Sequence, residues 1–133
     1  MGRSVLLLFV LAVLCSGCSR YQIREQFDKS LDAYNQSLRW QRWDSASPFI
    51  SDSIRKEFES RVAATKDIRV VDCQIIGMIY QEETHEALAE VRIDYYNVYS
   101  NMMRTILDRQ RWVYREEQGR KSWRLMSPLP EFR

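Results

Sequence analysis

Apolar residues recur at helical spacing in the first third of the chain. Phe27, Leu31, Tyr34 and Leu38 are separated by four, three and four positions, which places them on one face of an amphipathic helix. Mostly polar residues occupy the positions between them, as expected of a helix with one face in solvent. The pattern predicts a long helix that ends near Trp40.

A second and shorter helical pattern follows. Residues 44–50 are predicted to form a helical turn, in which Pro48 is tolerated in the first positions. A helix is then predicted to end near residue 64, because apolar residues repeat every four positions before that point. The residues that carry this repeat are Ile54, Phe58 and Val62.

Beyond residue 67 the period of the apolar residues changes from helical to alternating, which is typical of β-strands. The clearest alternation is that of Ala87, Ala89, Val91, Ile93 and Tyr95 with the residues between them. It predicts a strand with one buried face and one solvent-exposed face.

An earlier strand is predicted over residues 71–79. Its apolar residues assign Val71, Cys73, Ile75 and Ile79 to one face, and Gly77 is a candidate β-bulge. We expect this strand to pair with the one that follows it, through a turn at residues 82–85.

Two more strands complete the pattern. The first covers residues 105–115, and the pattern does not decide which of its faces is inward. Gln118, Gly119 and Arg120 predict a hairpin turn, after which Trp123 and Leu125 face the core. The chain is therefore predicted to be α+β, with N-terminal helices packed on a curved, antiparallel, four-stranded sheet.

Composition narrows the possible functions. The 133 residues include 20 Lys or Arg and 18 Asp or Glu, giving a formal net charge of +2. Nucleic-acid binders usually carry a large basic excess on one face, so no nucleic-acid partner is expected. Hydrophobic residues make up 45% of the chain, which allows a folded core. The three cysteines do not have metal-ligand spacing, and no metal or cofactor is expected.

The N-terminus has the pattern of an export signal. One cation, Arg3, precedes an apolar run over residues 5–14, and small residues follow the run. A membrane-spanning helix needs about 20 apolar residues, so this run is too short to remain as a span. We predict that residues 1–17 are removed, that residues 18–22 form a tether, and that residues 23–133 form the domain.

The end of this signal resembles the lipobox of bacterial lipoproteins. Ser16, Gly17 and Cys18 match that motif, whereas Cys15 stands where Leu is usual. The resemblance implies cleavage between Gly17 and Cys18, a covalent lipid on the Cys18 thiol, and acylation of the new amine. The alternative is an ordinary signal peptide that leaves Cys18 as a free thiol.

The residue after Cys18 bears on location. In enteric-type lipoproteins an Asp at this position directs retention in the inner membrane, whereas this chain has Ser19. The resemblance therefore implies a cell-envelope protein, attached by its lipid to the outer membrane and facing the periplasm in a Gram-negative cell. The membrane is its expected partner through the anchor.

The order of elements resembles the NTF2-like (SnoaL-like, cystatin-like cone) superfamily. In that fold a curved sheet and the helices enclose a cone-shaped cavity, and domains often dimerise through the open sheet face. Its members include isomerases, hydrolases, transport adaptors and non-catalytic modules. The residues that carry the resemblance are Tyr34–Leu38 and Trp43–Ala46 on the helices, and Arg111–Tyr114 and Gly119–Leu125 in the last hairpin.

A catalytic acid–base set is not evident. Enzymes of this superfamily use a carboxylate inside the cone, sometimes paired with His or Tyr. His85 is the only histidine, and it lies in a charged turn where we expect a surface side chain. Asp72, Asp94 and Asp108 lie on strands, and we expect each to be exposed or locally ion-paired. No catalytic residue is therefore assigned.

Four residues are candidates for a pocket or an interface: Trp40, Tyr95, Arg109 and Arg111. The two arginines either point inward as an anion clamp or, as we expect, point outward beside acidic residues. Tyr95 either lines a cavity mouth or is an ordinary aromatic residue of the sheet. Cys73 is interpreted as a buried small hydrophobic residue rather than a reactive thiol.

The sequence thus predicts a membrane-anchored envelope lipoprotein with a non-catalytic NTF2-like domain. This domain is expected to bind a small ligand or a protein, either a second copy through the sheet face or another envelope protein. The alternative is a cone-fold enzyme of isomerase, cyclase or hydrolase type, which requires an inward carboxylate with a raised pKa. A third interpretation is a structural spacer in an envelope assembly.

Overall fold

The computed structural model describes the backbone of residues 2–133 and the side-chain surroundings of residues 19–133. Its helices come first: α1 (Gly2–Arg39), α2 (Trp43–Ala46), two 3₁₀ turns (Ser47–Phe49 and Asp52–Ile54) and α3 (Arg55–Ala63). Its strands are β1 (Ile68–Gln81), β2 (Glu86–Asn97), β3 (Met103–Glu117) and β4 (Arg120–Leu125). They form one antiparallel sheet in the order β1-β2-β3-β4. The predicted α+β class, with N-terminal helices on a four-stranded antiparallel sheet, is confirmed.

The predicted export signal and anchor fall outside the described side chains. This applies to the signal peptide over residues 1–17, to the cleavage site between Gly17 and Cys18, and to the lipid on Cys18. All three stay predictions. Across the part of the chain that the structure describes, no helix is both long enough and apolar enough to cross a membrane.

Helix α1 packs its predicted apolar face against the sheet. Phe27, Leu31, Tyr34 and Leu38 are all buried, as their spacing requires. The indole Nε1 of Trp123 on β4 donates a hydrogen bond of 2.9 Å to a backbone carbonyl near the start of the packed part of α1. The inner face of the sheet is therefore the face that α1 covers.

Aromatic side chains fill much of the space between α1 and the sheet. The Trp112 ring lies 6.2 Å from Phe27, 5.6 Å from Tyr34 and 6.2 Å from Phe49, measured between ring centroids in edge-on arrangements. Such pairs add about 0.5–1.5 kcal/mol each to the burial of their surface. These contacts join α1, the first 3₁₀ turn and β3 into one core.

Strand β2 follows its predicted alternation throughout. The five predicted inward residues are all buried, and the residues between them are only partly buried or exposed. Since β2 lies between β1 and β3, its regular register aligns the faces of both neighbours. The inward residues are Ala87, Ala89, Val91, Ile93 and Tyr95.

Strand β1 departs from its predicted faces. Its pairing with β2 is interrupted twice, leaving extra residues at Val71 and Ile76, the second directly beside the predicted bulge at Gly77. An extra residue reverses the face that the following side chains occupy. Cys73 therefore pairs with an inward residue of β2, whereas Ile79 pairs with the outward Leu88. The prediction that these residues share one face is wrong for Ile79.

The C-terminal hairpin forms as predicted. Gln118 and Gly119 both have positive φ, 54° and 72°, which is the backbone of a two-residue type I′ turn. Trp123 and Leu125 then face the core and are buried. Leu125 also forms a parallel bridge with Ile50, which attaches the segment between α2 and α3 to the outer edge of β4.

Candidate functional site

Three polar side chains are buried on the inner face of the sheet, beneath α1. Asp108 and Gln110 come from β3, and Asn35 comes from α1, 75 positions before Gln110. Alternation along β3 directs residues 106, 108, 110 and 112 inward, because their partners on β2 are the inward residues of that strand. We call Asn35, Asp108 and Gln110 the buried polar cluster.

Hydrogen bonds within the cluster centre on Gln110. Its Nε2 donates to Asn35 Oδ1 at 2.8 Å and to Asp108 Oδ2 at 2.8 Å. Its Oε1 accepts from Asn35 Nδ2 at 3.3 Å and from Trp112 Nε1 at 3.2 Å. The amide of Gln110 is thus fully used. Among the described residues, the second oxygen of Asp108 has no hydrogen-bond donor.

Burial sets the protonation behaviour of Asp108. Only 4% of this residue is exposed. Loss of water raises the pKa of its carboxyl to about 6, and the hydrogen bond from Gln110 opposes that rise. A carboxyl with such a pKa exchanges a proton near neutral pH, which is the property required of a general acid or base. The expectation that Asp108 is exposed or ion-paired is therefore wrong.

Two further groups lie within the electrostatic reach of Asp108. Tyr34 is fully buried, and its hydroxyl has no hydrogen-bond partner among the described residues. Burial, followed by the negative charge of Asp108, raises the pKa of Tyr34 well above its usual range. Burial and the charge of Asp108 likewise raise the pKa of the Cys73 thiol to about 12. Both groups therefore remain protonated at neutral pH.

Cys73 accordingly is not an activated nucleophile. The thiolate is the reactive form of cysteine, and a pKa of about 12 leaves almost none of it at neutral pH. The side chain is half-buried and packs against the core. This supports its interpretation as a small hydrophobic residue rather than a reactive thiol, but the prediction that it is buried is only partly met.

Asp72 and Asp94 lie opposite each other on β1 and β2, on the outer face of the sheet. Asp94 accepts a hydrogen bond of 2.6 Å from Thr105 Oγ1 and lies 3.7 Å from Arg92. Asp72 accepts one of 2.9 Å from a backbone N–H on its own strand. The expectation of exposure or local ion pairing is confirmed for Asp94. Asp72 is half-buried and has no ion pair among the described residues, so the expectation is wrong for it. Neither residue belongs to the buried polar cluster.

His85 lies in the turn between β1 and β2, as predicted, but it is not fully on the surface. The side chain is half-buried, and its ring packs against Tyr114 at 6.1 Å between centroids. The expectation of a surface histidine is therefore wrong in its burial, because the aromatic side chain of β3 covers the ring. His85 is not a member of the buried polar cluster.

Arg109 and Arg111 point outward, as expected. Arg109 lies 3.4 Å from Glu90, and its side chain is 83% exposed. Arg111 lies 3.3 Å from Glu86. Each pair joins β3 to β2 across the outer face, so an inward anion clamp is ruled out.

Trp40 and Tyr95, the other two candidate residues, lie in different parts of the domain. Trp40 is exposed at the end of α1, with the Arg39 guanidinium 4.6 Å above its ring, while Trp43 packs against the core. Tyr95 is buried, and its hydroxyl donates to Arg133 O at 2.9 Å and accepts from Arg133 N at 3.1 Å. Tyr95 thus holds the C-terminal segment on the sheet. The structure does not bring the four candidate residues together into one pocket or interface.

Apolar side chains are exposed on the outer sheet face. Ile79 is 61% exposed and Leu88 is 53% exposed, and the two are directly paired across β1 and β2. Leu107 and Met103 on β3 are also exposed. A depression of about 330 Å³ lies between Ile79 and Arg109. We define the outer sheet face by Ile79, Leu88, Met103 and Leu107, together with the Glu90–Arg109 pair that lies among them.

Sequence reasoning missed Asn35 and Gln110. The amide of Gln110 sits between two charged neighbours in sequence, which gives it the appearance of a surface residue. The available signal was the spacing of two from Ile106, Asp108 and Trp112, which assigns all four residues to one face once Trp112 is taken as core. Nothing local in the sequence points to Asn35 as a partner of Gln110.

Comparison of the chain with protein-family models, with curated proteins and with solved structures finds no match. Within the described residues, no three His, Cys, Asp or Glu side chains are grouped so that they could hold a metal ion.

Proposed function

We propose that this chain is a lipid-anchored envelope protein of NTF2-like fold, whose domain is a non-catalytic module that binds a second copy of itself. The observation that carries the proposal is the pair of exposed apolar side chains, Ile79 and Leu88, directly paired on the outer sheet face near the β1–β2 turn. Apolar side chains grouped in this way usually mark a binding surface. The lipid anchor rests on the lipobox at Cys18.

Charge supports a second copy as the occupant. The outer sheet face carries Glu90 and Arg109 side by side, 3.4 Å apart, among its apolar residues. A two-fold axis through such a face brings Arg109 of one copy to Glu90 of the other, so the surface is complementary to itself. A partner with a strong charge of either sign would find no such match.

The anchor strengthens this association. Two copies held in one membrane by lipid at Cys18 move in a plane, which raises their effective concentration relative to free molecules. A weak interface then suffices for dimerisation. The anchor itself is tested by Cys18→Ser, which we expect to lose labelled fatty acid and to leave the membrane fraction. Unchanged labelling would contradict the anchor without bearing on the sheet face.

The association is tested by sedimentation of the full-length protein in a non-ionic detergent. We expect a dimer for the natural chain and a monomer for Leu88→Asp, which places a charge in the apolar Ile79–Leu88 pair. The matched control is Tyr99→Asp, because Tyr99 is also exposed but lies in the turn after β2. A monomer at all concentrations, or an equal effect of both substitutions, would contradict the proposal.

A second candidate function is favoured by Asp108 alone. We infer that a cone-fold enzyme of this kind would use Asp108 to move a proton on a small molecule. Its pKa of about 6 and its unpaired second oxygen support this role among the described residues. Cys73 is protonated, so proton transfer is better supported than nucleophilic catalysis.

This candidate is tested by carboxyl ¹³C NMR of Asp108. A library of small ketones, enones and carboxylic acids is added, and a true ligand is expected to move the Asp108 resonance and its pKa. Asp108→Asn is the control, and it is expected to abolish turnover of any such compound while leaving the fold intact. Compounds that bind with no change at Asp108 would exclude it as the proton-transfer group.

A further inference from the structure

A cationic cleft lies between α1 and strand β4. It is formed by α1, the 3₁₀ turn at Ser47–Phe49 and strand β4, and it has a volume of about 470 Å³. Four cationic side chains line it, whereas none of the described residues that line it is acidic. These cations are Lys29, Arg120, Lys121 and Arg124.

The cations differ in how far they are already paired. Arg124 is committed to the fold: its Nη1 donates to Pro48 O at 2.6 Å, and its Nε lies 3.6 Å from Glu117. Lys29 lies 3.2 Å from Glu25 on the same helix. Within the described part of the chain, Arg120 and Lys121 have no ion pair. The Lys121 ammonium lies 5.4 Å from the centroid of the Tyr114 ring, and both cations are exposed to solvent, where an anion can reach them.

The remaining lining suits a phosphate group. Ser30 and Ser122 offer hydroxyl donors beside the cations, and charge-assisted hydrogen bonds to phosphate are among the strongest in proteins. Phe49 and Trp123 supply apolar surface in the same cleft. Cations, hydroxyls and apolar surface together match a phosphate that carries a carbon skeleton better than they match a bare ion.

The position of the cleft along the chain suggests where such a phosphate comes from. Lys29 is eleven residues after Cys18. Eleven residues span about 16 Å as a helix and at most about 40 Å when fully extended. If Cys18 carries a lipid, as in the proposed function, the cleft lies within reach of the headgroups of the membrane that holds the anchor.

We propose that the cationic cleft binds the phosphate of an anionic phospholipid from the anchoring membrane, through Arg120 and Lys121. The bound headgroup orients the domain on the membrane so that β4 faces the lipid. The outer sheet face is then on the side of the sheet that α1 does not cover. This inference goes beyond the proposed function, on which it rests for the lipid anchor.

The experiment is a titration of the full-length protein in a non-ionic detergent. Dihexanoyl phosphatidylglycerol is the probe, and the amide resonances of Arg120 and Ser122 are the readout. We expect saturable shifts with phosphatidylglycerol and much weaker ones with dihexanoyl phosphatidylcholine, whose headgroup has no net charge. Because the lipid is added, Cys18→Ser is expected to bind it equally well, so failure of the anchor and failure of the cleft are distinguishable.

The decisive variants remove two charges each. Arg120→Gln with Lys121→Gln is expected to weaken phosphatidylglycerol binding by about tenfold or more, since each cation near anionic lipid contributes substantially. Lys56→Gln with Lys66→Gln is the matched control, because both lysines are exposed and lie outside the cleft. Affinity should then stay within about twofold of the natural chain.

Three results would overturn the proposal. Equal weakening by both pairs of substitutions would show that only net charge matters. Binding of inorganic phosphate at the same affinity would show that the site recognises free phosphate and not the lipid. Equal binding of phosphatidylcholine, or no saturable binding at all, would show that the cleft does not recognise an anionic headgroup.

Discussion

Strand β3 presents polar residues to both faces of the sheet, and the two faces differ in how much water reaches these residues. On the outer face, Arg109 meets Glu90 in solvent, and both charges remain hydrated. On the inner face, Asp108 meets the neutral amide of Gln110 and is almost without water. A charged residue is an ordinary surface residue in the first setting and is energetically unfavourable in the second. An unfavourable buried carboxyl is for that reason the better functional candidate.

The largest expected effect is on the free energy of unfolding, because side chains on the inner face of the sheet are packed and those on the outer face are not. Trp112→Ala removes a fully buried ring that touches Phe27, Tyr34 and Phe49, and we expect a loss of about 3–5 kcal/mol in the free energy of unfolding. Leu88→Ala on the outer face is the comparison and is expected to cost less than about 1 kcal/mol. Urea unfolding followed by circular dichroism measures both. Similar losses would mean that the outer face is also packed.

The next effect tests the charge of Asp108. Its pKa is about 6 in the folded chain against an ordinary 3.8, so the folded state holds the proton more tightly than the unfolded state. The contribution of Asp108 to stability is therefore most favourable below pH 4, falls as the pH rises to about 6, and stays lower above it. This difference corresponds to about 3 kcal/mol.

Asp108→Asn keeps an acceptor for Gln110 but cannot ionise. We expect the variant to be more stable than the natural chain at pH 7, by up to about 3 kcal/mol, and to lose the decline between pH 4 and pH 6. Urea unfolding across this pH range is the measurement. If the natural chain instead gains stability relative to Asp108→Asn as the pH rises through that range, the carboxyl is stabilised in its ionised form, contrary to the raised pKa.

A smaller effect is expected at Tyr34, whose buried hydroxyl has no partner among the described residues. Tyr34→Phe removes this unsatisfied group and keeps the ring, so we expect unfolding to be unchanged or more difficult by about 1 kcal/mol. Thermal unfolding at fixed pH is sufficient to detect it. Destabilisation of similar size would indicate that the hydroxyl binds a water molecule or ligand inside the domain.

The smallest effect is expected on the outer face. A double-mutant cycle of Arg109→Ala and Glu90→Ala is expected to give a coupling energy below about 0.5 kcal/mol, because exposed ion pairs contribute little. Urea unfolding of the four proteins measures it. A coupling above about 1 kcal/mol in the monomer would mean that the pair is shielded from water, and the contrast between the two faces would then be weaker.

Local periodicity predicted those parts of the fold in which one face is uniformly apolar. The helix around Phe27 and Leu38 and the strand around Val91 both follow this rule, and each was assigned correctly. Strand β1 did not follow it, since the extra residues at Val71 and Ile76 are defined only by the register with β2. The outward position of Ile79 follows from that register, for which Gly77, beside Ile76, was the signal in the sequence.

The buried polar cluster could not be predicted from the local pattern of residues, for a related reason. Asp108 and Gln110 are polar residues on an inward face, and the pattern of apolar residues alone assigns them to solvent. What makes their burial tolerable is Asn35, which reaches them from a helix far earlier in the chain. Only the packing of α1 on β3 brings the three side chains together.

The extra residue at Ile76 has a consequence for solubility. Strand β1 is an edge of the sheet, and an edge strand with a long uncharged apolar stretch is a template for aggregation. The start of β1 is protected by Gln41, whose side chain bonds to Ile68 O and Val70 N. Residues 75–79 contain no charge, and the hydrogen bonds from Gln41 do not extend to them. The irregularity at Ile76 instead interrupts the regular hydrogen-bond ladder that another chain would need for pairing. This part of the edge strand is thus kept from pairing with another chain by its backbone shape rather than by charge.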